Sequence, residues 1–317
     1  MAHEVSVHIV SFNSEDYIQA CLDSVLEQTY PISQIIVIDN ASSDRTRIIL
    51  GKFQNKIEVI VNSVNTGFAQ AHNQAIHASN SNYYLVLNPD VILDREFVAK
   101  LVEVMMCHSN VGSVTGKLIR SQRQEIIDST GLIINRARRA FDRGENQCAV
   151  KWKDKAEVFG VSGAAAFYRR TMVEEVSIEG EFFDEDFFAY KEDVDVAWRA
   201  QLLGWKAYYE PEAIAIHERG WKSGSRKRQH IFVRRLSYIN RYKMLVKNDR
   251  IVYVIRHLMP IIWYEILSFG YVIFKEPLLL PIWIDFWTKI PKMLKKRKWI
   301  KSRQKASNSN VYKWFND

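Results

Sequence analysis

The sequence has little cysteine: three residues in 317, Cys21, Cys107 and Cys148, at spacings that match no zinc-binding pattern. A small, odd number argues against a disulfide-stabilised secreted scaffold and predicts reduced thiols in a cytosolic setting. The N-terminus has no basic region followed by a long apolar core, so no signal peptide is expected. Between residues 251 and 290 the uncharged apolar runs are much shorter than the roughly 20 residues of a spanning helix.

The segment after the first predicted strand also lacks a glycine-rich basic phosphate loop. A nucleotidyltransferase would need such a loop there to hold its nucleotide's phosphates. Residues 11–17 instead read SFNSEDY, which is acidic. We therefore reject a nucleotidyltransferase, while a nucleotide-binding α/β sheet stays open.

The charge is positive overall but unevenly distributed. The formal net charge is +8, yet residues 218–317 hold 23 Lys and Arg against 6 Asp and Glu, and residues 1–217 are net acidic. A basic tail favours nucleic acid or an anionic membrane as its partner. Residues 258–287 are too apolar for a solvated nucleic-acid groove, so we expect no nucleic-acid partner.

Four apolar segments alternate with helical patterns in the first 90 residues. The predicted strands cover residues 5–10, 34–40, 57–62 and 83–88. A helix with Ser14 as its N-cap is expected after the first of them. This alternation predicts an α/β fold with a mostly parallel sheet that is covered by helices on both faces.

Polar side chains follow these strands. Asn13, Asp39, Asn65 and Asp90 stand at or just past predicted strand ends. Ligands of open α/β sheets bind at the carboxyl ends of strands, so the spacing predicts a polar site along one edge. Each residue also has a structural alternative, such as an Asx turn at Asp39 or a helix cap at Asn65.

Later parts of the chain are less regular. Residues 119–157 are polar and predict an inserted loop, and residues 206–221 predict two short strands divided by Pro211. Residues 235–248 form a basic amphipathic helical pattern, and aromatic and polybasic segments follow them. Interfacial helices beside a polybasic flank are typical of a protein on an anionic membrane. The alternative is a helical subdomain that packs on the core or at a homodimer interface.

Six segments in the same order resemble family 2 glycosyltransferases of the GT-A fold. They also resemble the bacterial rhamnosyltransferases that build cell-wall linkers, O-antigens and other surface polysaccharides. The resemblance runs from about residue 5 to residue 225, and the tail is similar only in style. The segments are residues 5–46, NTGFAQAHNQAI (65–76), LVLNPDVIL (85–93), VSGAAAFYRR (161–170), FFAYKEDVDVAWRAQLLGW (187–205) and HERGWKSG (217–224).

The resemblance implies a division of the chain. Residues 1–225 would form the GT-A catalytic domain, with a nucleotide-sugar half at about 1–117 and an acceptor half at about 118–225. Residues 226–317 would form a helical extension with a membrane-surface or dimer contact.

The resemblance also implies how the donor is bound. The Asp39 carboxylate would accept the N–H of a pyrimidine base, and Phe12 and Asn13 would line the base and ribose pocket. Three further residues would lie beside the nucleotide: Asn65, Gly67 and Asn73. Asn88 stands where the family has the first carboxylate of an Asp-any-Asp motif, and it would contact the ribose or a metal-bound water.

The metal and the catalytic base follow from the same resemblance. Asp90 and His217 would bind Mn²⁺ or Mg²⁺ together with the donor's diphosphate. Asp193 would be the base that deprotonates the acceptor, and Glu192 would orient it or contact the acceptor. An acidic helix N-terminus is the structural alternative for Glu192 and Asp193, and a core histidine is the alternative for His217. A loop with Gly220, Lys222, Ser223 and Ser225 would close on the diphosphate.

The sequence therefore predicts an inverting, metal-dependent glycosyltransferase. The resemblance implies transfer of L-rhamnose from dTDP-rhamnose to a lipid-linked glycan acceptor, on the cytoplasmic face of the cell membrane. A UDP-sugar donor, for galactosyl or N-acetylglucosaminyl transfer, is an alternative. A nucleic-acid- or membrane-binding scaffold without catalysis is an alternative of another class.

Overall fold

A computed structural model describes residues 3–219 and 229–316, and it contains one large mixed sheet. The spatial order of the main strands is β10-β12-β6-β11-β4-β1-β2-β3, with β5 paired to β12 and β7 paired to β6. The strands are β1 Val5–Ser11, β2 Gln34–Asp39, β3 Glu58–Val61, β4 Tyr83–Leu87, β5 Val91–Leu93, β6 Val111–Arg120, β7 Arg123–Ser129, β8 Leu132–Ile134, β9 Ala140–Asp142, β10 Ala156–Val158, β11 Ala165–Arg169 and β12 Lys206–His217. The helices are α1 Ile18–Leu26, α2 Thr46–Gly51, α3 Gly67–His77, α4 Phe97–Cys107, α5 Arg170–Val176, α6 Glu192–Leu202, α7 Ile231–Asn248, α8 Ile251–Arg256, α9 Leu258–Lys275, α10 Ile282–Arg303 and α11 Asn308–Tyr312.

The first half of the sheet is parallel, as the sequence predicts. Strand β1 pairs in parallel with β2 and β4, and β2 pairs in parallel with β3. Alternate residues of β1 face opposite sides, and helices α1 and α4 cover one of them. Helix α3 covers the other face, where Ala71 and Ala75 pack on Ile36 and Ile38. Burial on both faces explains why these strands read as continuous apolar runs.

The second half of the sheet differs from the prediction in two places. Residues 206–217 form one strand, β12, because Pro211 sits in an irregularity between Tyr209 and Ile214 rather than ending the strand. Residues 119–157 are not simply a loop, since they contain β7, β8, β9 and β10. The inward-facing residues of these strands, such as Ile127 and Ile134, are buried. The exposed residues between them are polar, so the sequence reads as a loop.

The C-terminal helices pack against the sheet's helical layer. Near the chain end, Tyr312 and Phe315 contact the buried ring of Trp198 in α6. Two buried lysines of α7 and α10, Lys247 and Lys296, make ion pairs with Asp184. The predicted domain boundary near residue 225 lies outside the described residues.

Helix α9 is the exception to this packing. It has 18 residues with a mean hydropathy of 1.3, yet only 6% of it is buried. It is the one helix in the described part of the chain that is long and apolar enough to cross a membrane, by length and composition alone. Trp263 is 66% exposed and Phe274 is 82% exposed. A contiguous apolar surface of this kind marks a site of contact with another molecule or a membrane.

Candidate active site

The sheet brings the predicted site residues to one edge. The carboxyl ends of β1, β2 and β4 lie side by side because these strands are parallel. Strand β11 runs the other way, and its first residue, Ala165, pairs with Leu87 at the end of β4. The residues before β11 therefore lie at the same edge, and β12 ends there too, in His217.

Asp39 is buried at the end of β2 with one carboxylate oxygen engaged. Its Oδ2 accepts hydrogen bonds from Arg47 Nε at 2.6 Å and from the Ser42 backbone N–H at 3.3 Å. Its Oδ1 has no hydrogen-bond partner among the described residues. The predicted Asx turn is therefore present, and a second, buried acceptor is left over. Such an oxygen is costly unless a ligand or water donates to it.

Phe12 and Asn13 form the turn that leaves β1 beside Asp39. Asn13 has φ of 51°, a left-handed conformation that asparagine adopts more readily than most residues. Its Oδ1 accepts a hydrogen bond from the Ser43 backbone N–H at 2.8 Å, which ties the turn to the loop after β2. The Phe12 ring is 48% exposed, so an aromatic face is available beside the loop that follows Asp39.

Asp90 and His217 meet although they are 127 positions apart in the chain. Strand β5 pairs with β12 so that Val91 stands opposite His217. This register places Asp90 Oδ1 3.3 Å from His217 Nε2. On the far side of the ring, Asp128 Oδ2 lies 2.8 Å from His217 Nδ1. Asn88, two residues before Asp90, is half-buried, and its backbone N–H donates to the Ala164 carbonyl.

The chemistry of this trio suits a divalent cation. Two ligands at right angles on one Mg²⁺ ion stand about 3 Å apart, which matches the Asp90–His217 spacing. Asp128 holds the ring as carboxylates behind metal-bound histidines do. Among the described residues no three such side chains are placed to bind one ion together. Phosphate oxygens and waters would therefore complete the coordination. Burial opposes protonation, but bonds to Asp128 and Asp90 raise the pKa of His217 to about 9.

Two acids open α6: Glu192 is buried and Asp193 is half-buried. Burial and the neighbouring Asp193 charge raise the pKa of Glu192 to about 8, so Glu192 is mostly protonated at neutral pH. Burial also raises the pKa of Asp193, but backbone N–H groups oppose this by stabilising its charge. Those groups belong to Gly163, 3.1 Å from Oδ2, and Val194, 2.7 Å from Oδ1. The two acids thus differ in environment: Glu192 is mostly neutral, while backbone donors stabilise the charged form of Asp193.

The segment that leads into these acids is held in a strained conformation. Phe188, Tyr190 and Lys191 all have positive φ, at 62°, 72° and 73°. Non-glycine residues keep such angles only where surrounding contacts impose them. Asn240 of α7 supplies those contacts, since its Nδ2 donates to the carbonyls of residues 187, 189 and 190 at 2.8–2.9 Å.

Three residues that are predicted to contact the nucleotide make contacts within the protein. Asn73 is 2% exposed, and its amide bonds the backbone N–H and carbonyl of Phe183. Asn65 Oδ1 accepts from the Gly67 N–H at 2.9 Å, which is the capping alternative. At Gly67, with φ of +83°, a Cβ would lie 2.6 Å from Phe188. These contacts tie Asn73 and Gly67 to the 183–191 segment. A contact of Asn65, Gly67 or Asn73 with the donor stays a prediction.

Sequence reasoning missed Asp128, Arg47 and Asn240. Asp128 lies in the region expected to be a loop, so no strand register pointed to His217. Arg47 and Asn240 carry no motif and act only through folded contacts. The predicted phosphate loop with Gly220, Lys222, Ser223 and Ser225 lies outside the described residues.

Comparison with known sequences gives one family and several relatives. The profile of glycosyl transferase family 2 matches residues 6–177, more than half of the chain. Poly-beta-1,6-N-acetyl-D-glucosamine synthase of Staphylococcus epidermidis is 25% identical over 213 residues, 66% of this chain and 48% of that protein. TuaG of Bacillus subtilis, described as a teichuronic acid biosynthesis glycosyltransferase, is 34% identical over 37% of this chain and 48% of that protein. The chain spans about half the length of these curated relatives.

Solved structures match over nearly the whole chain. The mannosyltransferase PcManGT from Pyrobaculum calidifontis, in complex with GDP-Man and Mn²⁺, gives a TM-score of 0.54 at 18% identity, with 98% of this chain and 85% of that chain covered. Staphylococcus aureus TarS 1-349 in complex with UDP gives a TM-score of 0.54 at 16% identity, with coverage of 95% and 83%. At these identities the similarity shows a shared fold and nothing finer.

Proposed function

The chain belongs to glycosyl transferase family 2, and from that premise we propose that it transfers a sugar from a pyrimidine nucleotide donor, with inversion and with help from a divalent cation. Its fold is the predicted GT-A fold. The observation that carries the proposal is the meeting of Asp90 and His217, 3.3 Å apart, at the sheet edge where Asp39 and Asp193 also lie. We propose surface polysaccharide synthesis as the setting, supported by the named relatives.

The donor end of the site is proposed to read the base through Asp39. Uracil and thymine both present an imide N–H, which the unpartnered Oδ1 of Asp39 can accept. Arg47 holds the other oxygen, so the carboxylate is fixed in direction. The exposed Phe12 ring would stack on the base.

Sugar transfer needs a base that deprotonates the acceptor hydroxyl and a positive charge that neutralises the leaving diphosphate. Asp193 would accept the proton of the acceptor hydroxyl as its oxygen attacks the anomeric carbon. The bond from that carbon to the nucleoside diphosphate breaks in the same step, which inverts the anomeric configuration. A cation held by Asp90 and His217 would neutralise the departing diphosphate. Glu192, neutral at pH 7, would hydrogen-bond the acceptor without repelling Asp193.

Two donors compete within this proposal. The motif resemblance favours dTDP-rhamnose, while a relative's name refers to N-acetyl-D-glucosamine and one similar structure holds UDP. Calorimetric titration with dTDP-rhamnose, UDP-N-acetylglucosamine, UDP-galactose and GDP-mannose, each with and without Mn²⁺, separates them. We expect the pyrimidine nucleotides to bind more tightly with Mn²⁺ and GDP-mannose to bind at least about tenfold more weakly, since the two-ring purine places its N–H donors farther from the ribose than uracil or thymine does. Equal binding of GDP-mannose contradicts the role of Asp39.

The acceptor is proposed to be lipid-linked, with the protein lying on an anionic membrane. Helix α9 is apolar and exposed, and Glu265 on its inner face is bound to Arg241 and Tyr242 of α7. That anchorage holds α9 along the protein surface, as suits a helix that lies in the interface. Helix α10 carries further basic residues, such as the exposed Lys298, that would meet anionic headgroups.

Removing two exposed aromatic side chains of α9 should release the protein from membranes. The double variant Trp263→Ser/Phe274→Ser is expected to bind phosphatidylglycerol liposomes at least about tenfold more weakly, because each ring loses 1 to 3 kcal/mol of apolar burial. Co-sedimentation measures the effect, and Ile48→Ser, which removes another exposed apolar side chain on α2, is the matched control. Unchanged sedimentation, together with a shift from dimer to monomer in solution, would instead assign α9 to a subunit interface.

A further inference from the structure

A cavity of about 470 Å³ lies between α7, α9 and the loop at residues 138–141. Its size is within the range of small-ligand sites. Its lining includes Lys191, the residue directly before Glu192, and Leu267 and Val272 of α9. The cavity therefore adjoins both the segment that leads into the proposed catalytic acids and the exposed apolar helix.

The lining is strongly cationic. Arg138, Arg139, Lys191 and Arg241 contribute to it, and no carboxylate does among the described residues. Arg138 and Arg241 are neutralised by Asp249 and Glu265. The remaining two cations, Arg139 and Lys191, make no ion pair with any residue in the described ranges. A cavity with two uncompensated cations favours an anionic ligand.

Aromatic rings hold the guanidinium groups in place. Arg139 lies 4.6 Å from the Phe141 ring centroid and 5.2 Å from that of Tyr264. Tyr264 also lies 4.6 Å from the guanidinium carbon of Arg241. Stacked guanidinium groups keep their N–H edges directed outward for planar or tetrahedral anions. Ser237 and Ser268 add hydroxyl donors to the same lining.

We propose that this cavity binds the phosphate or diphosphate group of the lipid-linked acceptor. The acceptor's sugar would extend past Lys191 towards Asp193, and its hydrocarbon chain would leave along the exposed face of α9. Phosphate chemistry follows from the free cations, and an attached apolar chain follows from the exposed residues of α9 beside them. This inference rests on the proposed transferase function, because it names the acceptor subsite of that reaction.

The test uses the full chain in mild detergent and three probes. Farnesyl diphosphate carries both features, inorganic pyrophosphate carries only the charge, and farnesol carries only the chain. We expect farnesyl diphosphate to bind at least about tenfold more tightly than either of the others, because only it fills both halves of the site. Arg139→Gln should weaken that binding roughly tenfold, since it removes a charge-assisted contact. Arg139 is exposed, so the substitution leaves the buried core intact.

Arg136→Gln is the matched control, because Arg136 is an exposed arginine of the same loop that does not line the cavity. It should bind farnesyl diphosphate as the unchanged protein does. UDP titration in all three proteins monitors the donor site separately and should give equal affinities. If the unchanged protein does not bind UDP, the proposed transferase function is refuted, whereas the assignment of the cavity is not.

Three results overturn the cavity assignment. Equal affinity for pyrophosphate and farnesyl diphosphate would mean a site for a soluble phosphate. Equal affinity for farnesol would mean that the cations contribute nothing. Equal weakening by Arg139→Gln and Arg136→Gln would mean unspecific attraction to basic surface.

Discussion

Replacing Asp193 by asparagine is expected to lower the rate of sugar transfer by about 1,000-fold while donor binding stays unchanged. The amide keeps the shape of the carboxylate and its place beside Gly163 and Val194, but it cannot take the acceptor's proton. The rate is measured as nucleoside diphosphate release with a membrane lipid extract as the source of acceptor. Donor affinity is measured by calorimetry.

Glu192→Gln provides the matched control for this substitution. Because burial and the Asp193 charge raise the pKa of Glu192 to about 8, the native side chain is mostly neutral at pH 7. Glutamine copies that neutral form, so the rate at pH 7 should fall by less than about tenfold. If Glu192→Gln loses as much activity as Asp193→Asn, Glu192 shares the role of base and the assignment to Asp193 alone is wrong.

Replacing Asp90 by asparagine should remove the dependence of donor binding on Mn²⁺ and lower the transfer rate by at least about 100-fold. The amide is a neutral and weaker ligand, and His217 alone provides too little to hold the cation. Calorimetry of UDP binding with and without Mn²⁺ reads this out independently of catalysis. Asp128→Asn should have a smaller effect, a 10- to 100-fold weaker response to Mn²⁺, because it alters only the orientation and basicity of the His217 ring.

Asp94→Asn is the control for the metal assignment. Asp94 is an exposed carboxylate four residues after Asp90, and its Oδ1 accepts from the Glu96 N–H at the start of α4. Asparagine keeps that turn, so the response to Mn²⁺ should not change. A variant of Asp90 that still binds UDP more tightly with Mn²⁺ would remove Asp90 from the proposed metal site.

The sequence predicts the parallel half of the sheet well because its signals are local and mutually consistent. Strands buried on both faces produce uninterrupted apolar runs, and each ends in a polar residue. The prediction fails where a contact from elsewhere decides the outcome. Helix α1 begins at Ile18 rather than after Ser14, since the Ser14 N–H donates to Thr46 Oγ1 and its hydroxyl accepts from the Phe12 N–H.

The candidate site shows the same division. The motifs single out Asp39, Asp90, Asp193 and His217 as candidates. The strand register brings Asp39, Asp90 and His217 to one edge of the sheet, and Asp193 meets the segment before β11 through Gly163. The partners of these residues come from remote segments. Asp128 and His217 are 89 positions apart in the sequence, and no local sequence pattern predicts their contact. The sequence likewise does not show that Asn73 bonds Phe183 or that Gly67 packs against Phe188.

The buried ion pairs between the C-terminal helices and Asp184 limit how this enzyme can be recombined with its relatives. A chimera that exchanges the chain after residue 225 keeps Asp184 and Asp195 but discards Lys247 and Lys296. Asp195 keeps its ion pair with Arg199, but Asp184 loses both of its cations. A carboxylate left buried without a partner costs about 3 to 5 kcal/mol, a large part of a typical domain's stability of about 5 to 15 kcal/mol. We therefore expect that acceptor or membrane specificity can be changed by replacing surface residues of α9. Exchange of the whole C-terminal segment is expected to fail.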